Sequence, residues 1–257
     1  MDLELAGKTA VVTGASRGIG LAIAQAFLDE GVHVIGAARE APGAAVQPQG
    51  VGSFTFGIAD LSSDVGAQEF AETVTGPVDI LVNNVGAAPA RPDGFASISD
   101  AQWLQSLALN LLAGVRVTRA LLPKLAPGAS IVMIASENSL LPDPLVMDYS
   151  AAKAAALSFT KSLSKELAPS GIRVNAVSPG PVATELWLGK NGVAETTARA
   201  TGRTPQEIRA GAEAAMPTGR FTQPQEVARL VLVLASPVFA NVTGADFVID
   251  GGMRPTI

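Results

Sequence analysis

A lone tyrosine and a lysine one helical turn further on are the residues of this chain best suited to proton transfer. Tyr149 is the only tyrosine among 257 residues, and Lys153 follows it four positions later. In a helix, side chains with this spacing share a face, with Cβ atoms about 5–6 Å apart. A nearby ammonium group lowers a phenol pKa from its ordinary value of about 10, and reaching about 7 takes roughly 4 kcal/mol. We therefore expect an acidified phenol at Tyr149, although the same pair is also found in ordinary amphipathic helices.

A glycine-rich turn follows the first predicted strand and leads into the first predicted helix. It runs from Thr13 to Gly20 and contains Gly14, Gly18 and Gly20. Glycines permit a tight turn and a close approach of the backbone to a ligand. The helix N-terminus adds free amides and the positive end of the helix dipole. The turn therefore predicts a pyrophosphate-binding site.

The same turn also matches the nucleophile elbow of α/β-hydrolases, Gly-x-Ser-x-Gly, with Ser16 as the nucleophile. That chemistry needs an acid and then a histidine further along the chain. The only histidine is His33, which lies in the next predicted strand, where a general base is not expected. We therefore interpret the turn as phosphate-binding rather than hydrolytic.

The composition excludes several other classes of site. Cysteine is absent and histidine occurs once, so disulfides, thiolate catalysis and multi-histidine metal sites are excluded, and we expect no metal. The formal net charge is −5 and no basic run occurs, which argues against a nucleic-acid partner. No leader sequence is visible, and no apolar stretch approaches the roughly 18 residues of a membrane span. We expect a cytoplasmic protein without a membrane partner.

The elements that must position these groups alternate between strands and helices. Strand patterns cover residues 8–13, 32–38, 54–58, 78–83, 129–135, 172–177 and 246–249, and helical patterns cover 19–30, 64–74, 100–125, 148–167 and 225–234. This alternation indicates a parallel sheet covered on both faces, and the nearly continuous apolar strands agree with it. No linker is visible. We therefore predict a single α/β domain over 1–257, with a doubly wound, Rossmann-like parallel sheet of about seven strands and helices on both faces.

One segment, residues 184–220, interrupts that alternation. It contains five glycines and no convincing strand, and it follows a strand end, where open α/β sheets bind ligands. We predict a substrate lid at about 184–220, with a surface excursion as the alternative. Leu186, Trp187, Leu188 and Met216 indicate an apolar pocket there, although they could equally belong to the core.

Taken together, the motifs resemble those of the short-chain dehydrogenase/reductase family. In chain order they are the turn Thr13–Gly20, Asp60, Asn83-Asn-Val-Gly86, Asn110, Ser136, Tyr149-x-x-x-Lys153 and Ser178-Pro-Gly180, and they span residues 8–251. The resemblance implies that Tyr149 is the general acid or base, and that Ser136 orients and polarises the substrate carbonyl. It also implies that Lys153 lowers the tyrosine pKa and binds the nicotinamide ribose. Asn110 would hold a water that links Lys153 to solvent.

Two positions near this set, Ser139 and Val85, leave questions about the site open. Ser139 competes with Ser136 for the carbonyl-orienting role, and the thirteen-residue spacing to Tyr149 favours Ser136. Val85 stands where the family usually has alanine, so the space beside the cofactor is expected to be narrower.

The resemblance also implies a nicotinamide cofactor. The residues expected to contact it are Gly14, Ser16, Arg17, Gly18, Ile19, Gly20, Arg39, Asp60, Leu61, Asn84, Gly86, Tyr149, Lys153, Pro179, Gly180, Val182 and Thr184. Of these, Asp60 is expected at the adenine edge, with a simple turn acid as the alternative.

The choice between the two nicotinamide cofactors depends on the end of the second strand. An acid there would bind the ribose hydroxyls of NAD, but this chain has Ala38 followed by Arg39. Arg17 adds a second guanidinium, a group that matches the oxygens of a 2′-phosphate. We therefore predict NADP(H) rather than NAD(H), with the adjacent Glu40 as the contrary observation.

These features predict an oxidoreductase that interconverts a carbonyl and a secondary alcohol by hydride transfer. The candidate small-molecule substrates are 3-oxoacyl thioesters and small or cyclic ketones. The alternative is a non-catalytic dinucleotide sensor on the same fold. The resemblance further implies a homotetramer, and the alanine-rich helix at 148–167 would allow close packing between copies, although alanine is also simply a good helix former.

Overall fold

The strands form one parallel sheet in the order β3-β2-β1-β4-β5-β6-β7. The structure, a computed structural model, describes residues 1–43, 46–47, 50–190 and 192–255; the remaining positions of the predicted domain, including 191 in the predicted lid, lie outside them. The strands are β1 (Thr9–Thr13), β2 (His33–Ala38), β3 (Phe54–Ile58), β4 (Val78–Asn83), β5 (Leu125–Ile134), β6 (Arg173–Pro179) and β7 (Asp246–Ile249).

The strand order reverses at β1, which lies between β2 and β4. The chain runs outward from β1 to β2 and β3, and then returns to β4 on the other side. A crevice forms at such a reversal, outside the carboxyl ends of the strands, and ligands of open α/β sheets bind there.

Helices cover both faces of the sheet. They are α1 (Gly18–Asp29), α2 (Asp64–Thr73), α3 (Asp100–Leu107), α4 (Ala113–Leu121), α5 (Met147–Leu167), α6 (Glu185–Leu188), α7 (Val193–Thr201), α8 (Pro205–Ala215) and α9 (Pro224–Ala235). Val12 of β1 is buried with Phe27 of α1 and Val231 of α9. Its neighbour Val11 points to the opposite face and is buried with Val117 of α4, together with residues of α2 and α5. The predicted fold class is confirmed.

The helix predicted over 100–125 is interrupted in the middle. Ser99 begins α3 with a capping box that includes Gln102. Residues Ala108–Leu112 then form a π turn between α3 and α4. Such a turn inserts an extra residue into the helical repeat and frequently occurs at functional sites. Here it contains Asn110.

Strand β5 begins at Leu125 rather than at the predicted 129. Leu125 pairs with Val78, and an irregularity in the register separates this pair from the next one, Ile80 with Ser130. The sequence pattern misses the early pair because Pro127 and Gly128 interrupt the apolar run.

Within the described part of 184–220, the chain forms the helices α6, α7 and α8. A single bridge between Val182 and Thr222 brings the two ends of the segment together beside the sheet. Across the described ranges, none of the helices combines the length and apolar character needed to cross a membrane.

Candidate active site

A cavity of about 1240 Å³ opens at the carboxyl ends of the strands. Its wall is formed by the glycine turn, the ends of β2 and β5, the loop after β4, the start of α5 and the helices after β6. Of the predicted site residues, it contacts Gly14, Ser16, Arg17, Gly18, Ile19, Arg39, Asp60, Leu61, Asn84, Gly86, Ser136, Tyr149, Lys153, Pro179, Gly180, Val182 and Thr184. The other two, Gly20 and Asn110, lie behind its wall.

The N-terminus of α1 faces this cavity with its backbone amides uncapped. Ser63 and Ser99 accept amide hydrogen bonds at the starts of α2 and α3. Arg17, the first residue before α1, makes no such side-chain bond. The first amides of a helix have no partner within the helix, and together with the helix dipole they attract anions. The turn therefore fits the pyrophosphate of a dinucleotide.

Asn84 holds the glycine turn in place from the neighbouring strand. Its Nδ2 donates to the carbonyl oxygens of Thr13 and Gly14 at 3.1 and 3.3 Å. A Cβ on Gly20 would overlap the carbonyl oxygen of Gly14 and would lie 2.5 Å from the Asn84 amide nitrogen. Gly20 is therefore required for packing between the turn and α1, whereas Gly14 adopts a positive φ of 66°.

Replacing Gly20 with alanine is expected to weaken dinucleotide binding. The added methyl group has to push the turn outward, and overpacking of this kind costs about 1–3 kcal/mol, which corresponds to about 5- to 150-fold in affinity. Titration of NADPH fluorescence measures the effect. Gly43→Ala is the matched control, because a Cβ there meets nothing within 4 Å. Equal affinity in both variants would show that the turn does not bind the cofactor.

The groups predicted to be catalytic converge on the end of β5. The Nζ of Lys153 donates to the carbonyl oxygen of Ile134 at 2.7 Å, which holds α5 against the strand end. The same nitrogen lies 5.8 Å from the ring centroid of Tyr149. Ser136 follows two residues after Ile134, and its hydroxyl accepts a hydrogen bond from the amide of Asn138 at 3.2 Å. Ser136, Tyr149 and Lys153 thus line one region of the cavity.

Asn110 supports this region from behind. Its Oδ1 accepts from the amide of Ala87 at 3.0 Å, and its Nδ2 donates to the carbonyl oxygens of Ala87 and Ser106 at 3.0 and 3.1 Å. A Cβ on Gly86 would lie 2.9 Å from Asn110 Oδ1 and 3.4 Å from Lys153 Nζ, so glycine lets these two side chains approach. The predicted water-holding role of Asn110 stays a prediction.

The expectation that the pKa of Tyr149 lies below its ordinary value is wrong. Burial raises the pKa of Tyr149 to about 12; hydrogen bonding with Ser136 opposes this rise and the charge of Glu137 adds to it. Burial also lowers the pKa of Lys153 to about 8. Desolvation of the phenol is the largest cause of the shift. At neutral pH, Tyr149 is therefore a protonated phenol.

The far end of the cavity carries the residues that were predicted to lie at the adenosine side. Arg39 and Arg17 are both exposed and line it. Arg17 Nη1 lies 3.8 Å from a carboxylate oxygen of Glu185, at the start of α6. Asp60 accepts a hydrogen bond from the Ser62 hydroxyl at 2.6 Å, which lowers its pKa. Asp60 therefore shapes a turn as well as lining the cavity.

The apolar pocket predicted beside the lid is only partly supported by contacts. Leu186 and Trp187 line the cavity, and the Trp187 ring packs edge-on against Phe221 at 5.2 Å between centroids. Met216 is buried in the core instead. Val85 lines the cavity and also packs against the sheet, so the predicted narrowing beside the cofactor stays a prediction.

Sequence reasoning missed three ionisable groups: an ion pair next to the site and an acid in its wall. The guanidinium of Arg91 donates through Nε and Nη2 to Oδ2 of Asp148 at 3.2 and 2.7 Å, and the Asp148 side chain is fully buried. This pair ties the loop after β4 to the start of α5, one residue before Tyr149. Glu137 follows Ser136 directly and lines the cavity. Its position at a strand end, next to the candidate serine, is the signal that could have revealed it.

Three features together are typical of an oxidoreductase that uses a nicotinamide dinucleotide. They are the sheet order, the uncapped helix beside the glycine turn, and the group formed by Ser136, Tyr149 and Lys153. A family model described as enoyl-(acyl carrier protein) reductase matches residues 14–254. This chain belongs to the short-chain dehydrogenase/reductase family.

Similar proteins span almost the whole chain. A 3-oxoacyl-acyl-carrier-protein reductase of Vibrio harveyi is 34% identical over 98% of this chain and 99% of its own length. A D-threitol dehydrogenase of Mycolicibacterium smegmatis is 34% identical over 98% of this chain and 94% of its own. The solved structure of L-sorbose reductase from Gluconobacter frateurii, in complex with NADPH and L-sorbose, superposes with a TM-score of 0.91 at 30% identity, covering 100% of both chains.

Proposed function

We propose that this protein is an NADP(H)-dependent carbonyl reductase in which Tyr149 is the general acid. One observation carries this proposal: Ser136, Tyr149 and Lys153 line the same cavity as the uncapped glycine turn. A dinucleotide held by the turn would extend toward these three side chains. Two hydroxyl groups and one ammonium group suit a reaction in which a carbonyl oxygen gains negative charge.

Each side chain has a distinct task in the reduction. Ser136 donates a hydrogen bond to the carbonyl oxygen, and Tyr149 transfers its phenolic proton to that oxygen as the C=O double bond becomes single. When bound, the reduced nicotinamide supplies the hydride for the new C–H bond. Lys153 stabilises the phenolate left after proton transfer, because its ammonium group lies beside the Tyr149 ring.

The raised pKa of Tyr149 suits the role of an acid. With a pKa raised to about 12 by burial, the phenol keeps its proton at neutral pH and is ready to act as an acid. The oxidative direction needs the phenolate, which the buried site disfavours.

We propose a preference for NADPH over NADH. Arg17 and Arg39 line the cavity at the end where the adenosine ribose would lie, and Ala38 stands where an acid would bind the ribose hydroxyls. The similar L-sorbose reductase was solved with NADPH. Two guanidinium groups and no acid at Ala38 suit a 2′-phosphate.

The variant Arg39→Asp tests this preference. Loss of a charge-assisted hydrogen bond costs about 1.5–3 kcal/mol, so the ratio of kcat/KM for NADPH to that for NADH should fall about 10- to 100-fold. Steady-state kinetics with both cofactors measure it. Arg229→Asp makes the same charge change on α9, outside the residues that line the cavity. Equal ratios in both variants would exclude Arg39 from phosphate recognition.

The relatives point to two classes of substrate. One is named for reducing 3-oxoacyl groups on acyl carrier protein, and two are named for sugars or polyols. A screen of NADPH oxidation across 3-oxoacyl thioesters, cyclic ketones and hydroxylated ketones tests the proposed function. Binding of NADPH without turnover of any carbonyl compound would instead support the dinucleotide sensor.

We propose that residues 184–220 act as a lid. Thr184 lies beside the glycine turn, since a Cβ on Gly18 would come within 3.5 Å of its methyl group. The helices that follow contribute Trp187, Thr197 and Ile208 to the wall of the cavity. Closure of this segment over a ligand would exclude water from the reacting carbonyl.

We also propose a homotetramer that forms through the exposed face of α5. Ala152 and Ala156 are buried within the chain, whereas Ala151 and Ala154 are exposed and leave a smooth surface for a second helix. Sedimentation equilibrium tests the assembly, and a monomer at micromolar concentration would exclude it.

A further inference from the structure

Glu137 is a buried acid in the wall of the cavity, and one of its oxygens is unpaired among the described residues. Its side chain is 8% exposed, and it contributes to the cavity lining next to Ser136. Its Oε2 has no hydrogen-bond partner among the residues that the structure describes. A buried polar atom without a partner costs about 1–3 kcal/mol, so native proteins rarely retain one without a reason.

We propose that Glu137 forms a subsite for a hydroxyl group on the carbon next to the reacting carbonyl, so that the preferred substrates are α-hydroxy ketones. This inference rests on the proposed carbonyl reduction and narrows its substrate class. Glu137 is then a specificity residue, because it contacts a substituent of the substrate and not the carbonyl itself.

Chain geometry places the subsite beside the reaction centre. Ser136 and Glu137 are consecutive, so their Cα atoms are about 3.8 Å apart. Ser136 caps the short 3₁₀ turn Glu137–Ser139 by accepting the Asn138 amide, which holds the Ser136 hydroxyl at the start of this turn. A substrate whose carbonyl oxygen meets Ser136 and Tyr149 therefore lies in the cavity that Glu137 also lines. The last torsion of a glutamate side chain is broad, so its free oxygen can turn to a ligand.

Two aspartates act on the charge of Glu137, and they differ from it in exposure or in hydrogen bonding. Asp143 accepts the Leu145 amide at 2.8 Å. Asp250 uses both oxygens, accepting the amides of Gly252 and Arg254 at 2.8 and 2.9 Å. Burial, reinforced by the charges of these two aspartates, raises the pKa of Glu137 to about 8.

A carboxylic acid that keeps its proton matches a hydroxyl group. It donates one hydrogen bond through its own proton and accepts another through its second oxygen, and a hydroxyl group both accepts and donates. A cationic amine would instead require the carboxylate, which the pKa of Glu137 disfavours at neutral pH. An apolar substituent would leave the carboxyl group unpaired.

Three small ketones with the same number of heavy atoms test the subsite: hydroxyacetone, butanone and aminoacetone. They differ only in a hydroxyl, methyl or amino group on the carbon next to the carbonyl. We expect the wild-type protein with NADPH to show a kcat/KM for hydroxyacetone about 10- to 100-fold above that for butanone. This ratio should fall to near unity in Glu137→Leu, with Glu137→Met as a second apolar variant if the first does not fold.

Two further variants separate the subsite from a structural effect. Glu137→Gln keeps a donor and an acceptor in the same shape, so it should retain most of the preference for hydroxyacetone. Ser139→Ala removes another buried hydroxyl without a partner among the described residues, from the same turn but outside the cavity lining, and should leave the ratio unchanged.

Each remaining outcome is decisive. A wild-type ratio near unity, or a ratio that survives in the apolar variants, overturns the subsite while butanone reduction still supports the proposed function. A preference for aminoacetone shows a cation site and overturns the hydroxyl assignment. If none of the three ketones is reduced while a 3-oxoacyl thioester or a cyclic ketone is, the subsite fails and the proposed function stands; if no carbonyl compound is reduced, both fail.

Discussion

Replacing Tyr149 with phenylalanine should lower kcat for carbonyl reduction by about 10²–10⁴-fold, because a positioned general acid contributes an acceleration of this size. The phenyl ring keeps the shape of the side chain and its contact with Lys153, whose nitrogen lies 5.8 Å from the ring centroid. NADPH binding should therefore change little. Stopped-flow measurement of NADPH oxidation, combined with a fluorescence titration, separates the two quantities.

The hydroxyl groups upstream provide the controls for that experiment. Ser136→Ala should also lower kcat, since it removes the second donor to the carbonyl oxygen. Ser139→Ala should retain wild-type turnover, because Ser139 is buried outside the cavity lining. Full activity in Tyr149→Phe would refute the general-acid role. Loss of activity in Ser139→Ala but not in Ser136→Ala would assign the carbonyl-orienting role to Ser139 instead of Ser136.

Removing Arg91 should destabilise the protein by about 3–5 kcal/mol, because the variant Arg91→Met leaves the Asp148 carboxylate buried without its cation. The Asp148 side chain is 0% exposed and that of Arg91 is 12% exposed, so solvent does not screen this ion pair. Arg91 also donates its backbone amide to the carbonyl oxygen of Leu145 at 2.7 Å. Urea unfolding at a fixed protein concentration measures the free energy of unfolding.

An exposed ion pair supplies the matched control. Arg119 Nη2 donates to Asp64 Oδ1 at 2.5 Å, but both side chains are more than half exposed. Arg119→Met should therefore lower the free energy of unfolding by only about 0–1 kcal/mol. The double variant Arg91→Met with Asp148→Asn should be more stable than Arg91→Met alone, because it removes the uncompensated charge. An equal decrease in the free energy of unfolding in Arg91→Met and Arg119→Met would show that the buried ion pair stabilises the protein no more than the exposed one.

The order of strands and helices follows from sequence because it depends on local patterns. Continuous apolar runs mark strands buried on both faces, and the glycine turn between β1 and α1 marks the crevice. The π turn was not predictable, since Ala108–Leu112 continues the same apolar pattern as its neighbours. The early start of β5 also escaped prediction, because it depends on one pair with Val78 in another strand.

The features that could not be predicted from sequence depend on long-range contacts and on burial. Arg91 and Asp148 are 57 positions apart, and no local pattern pairs them. For Tyr149, the sequence shows the neighbouring Lys153 but not the depth of burial that raises its pKa. The sequence likewise shows Glu137 beside Ser136, but not that one of its oxygens lacks a hydrogen-bond partner among the described residues.

A single tyrosine in the whole chain makes the proposed acid visible to ultraviolet spectroscopy. Phenolate absorbs at longer wavelength than phenol, so every such absorbance change on alkaline titration belongs to Tyr149. With a pKa raised to about 12, the band should stay absent through mildly alkaline solution in the ligand-free protein. Adding the oxidised dinucleotide, whose nicotinamide ring is cationic, then reports directly how far ligand binding changes the acidity of this one side chain.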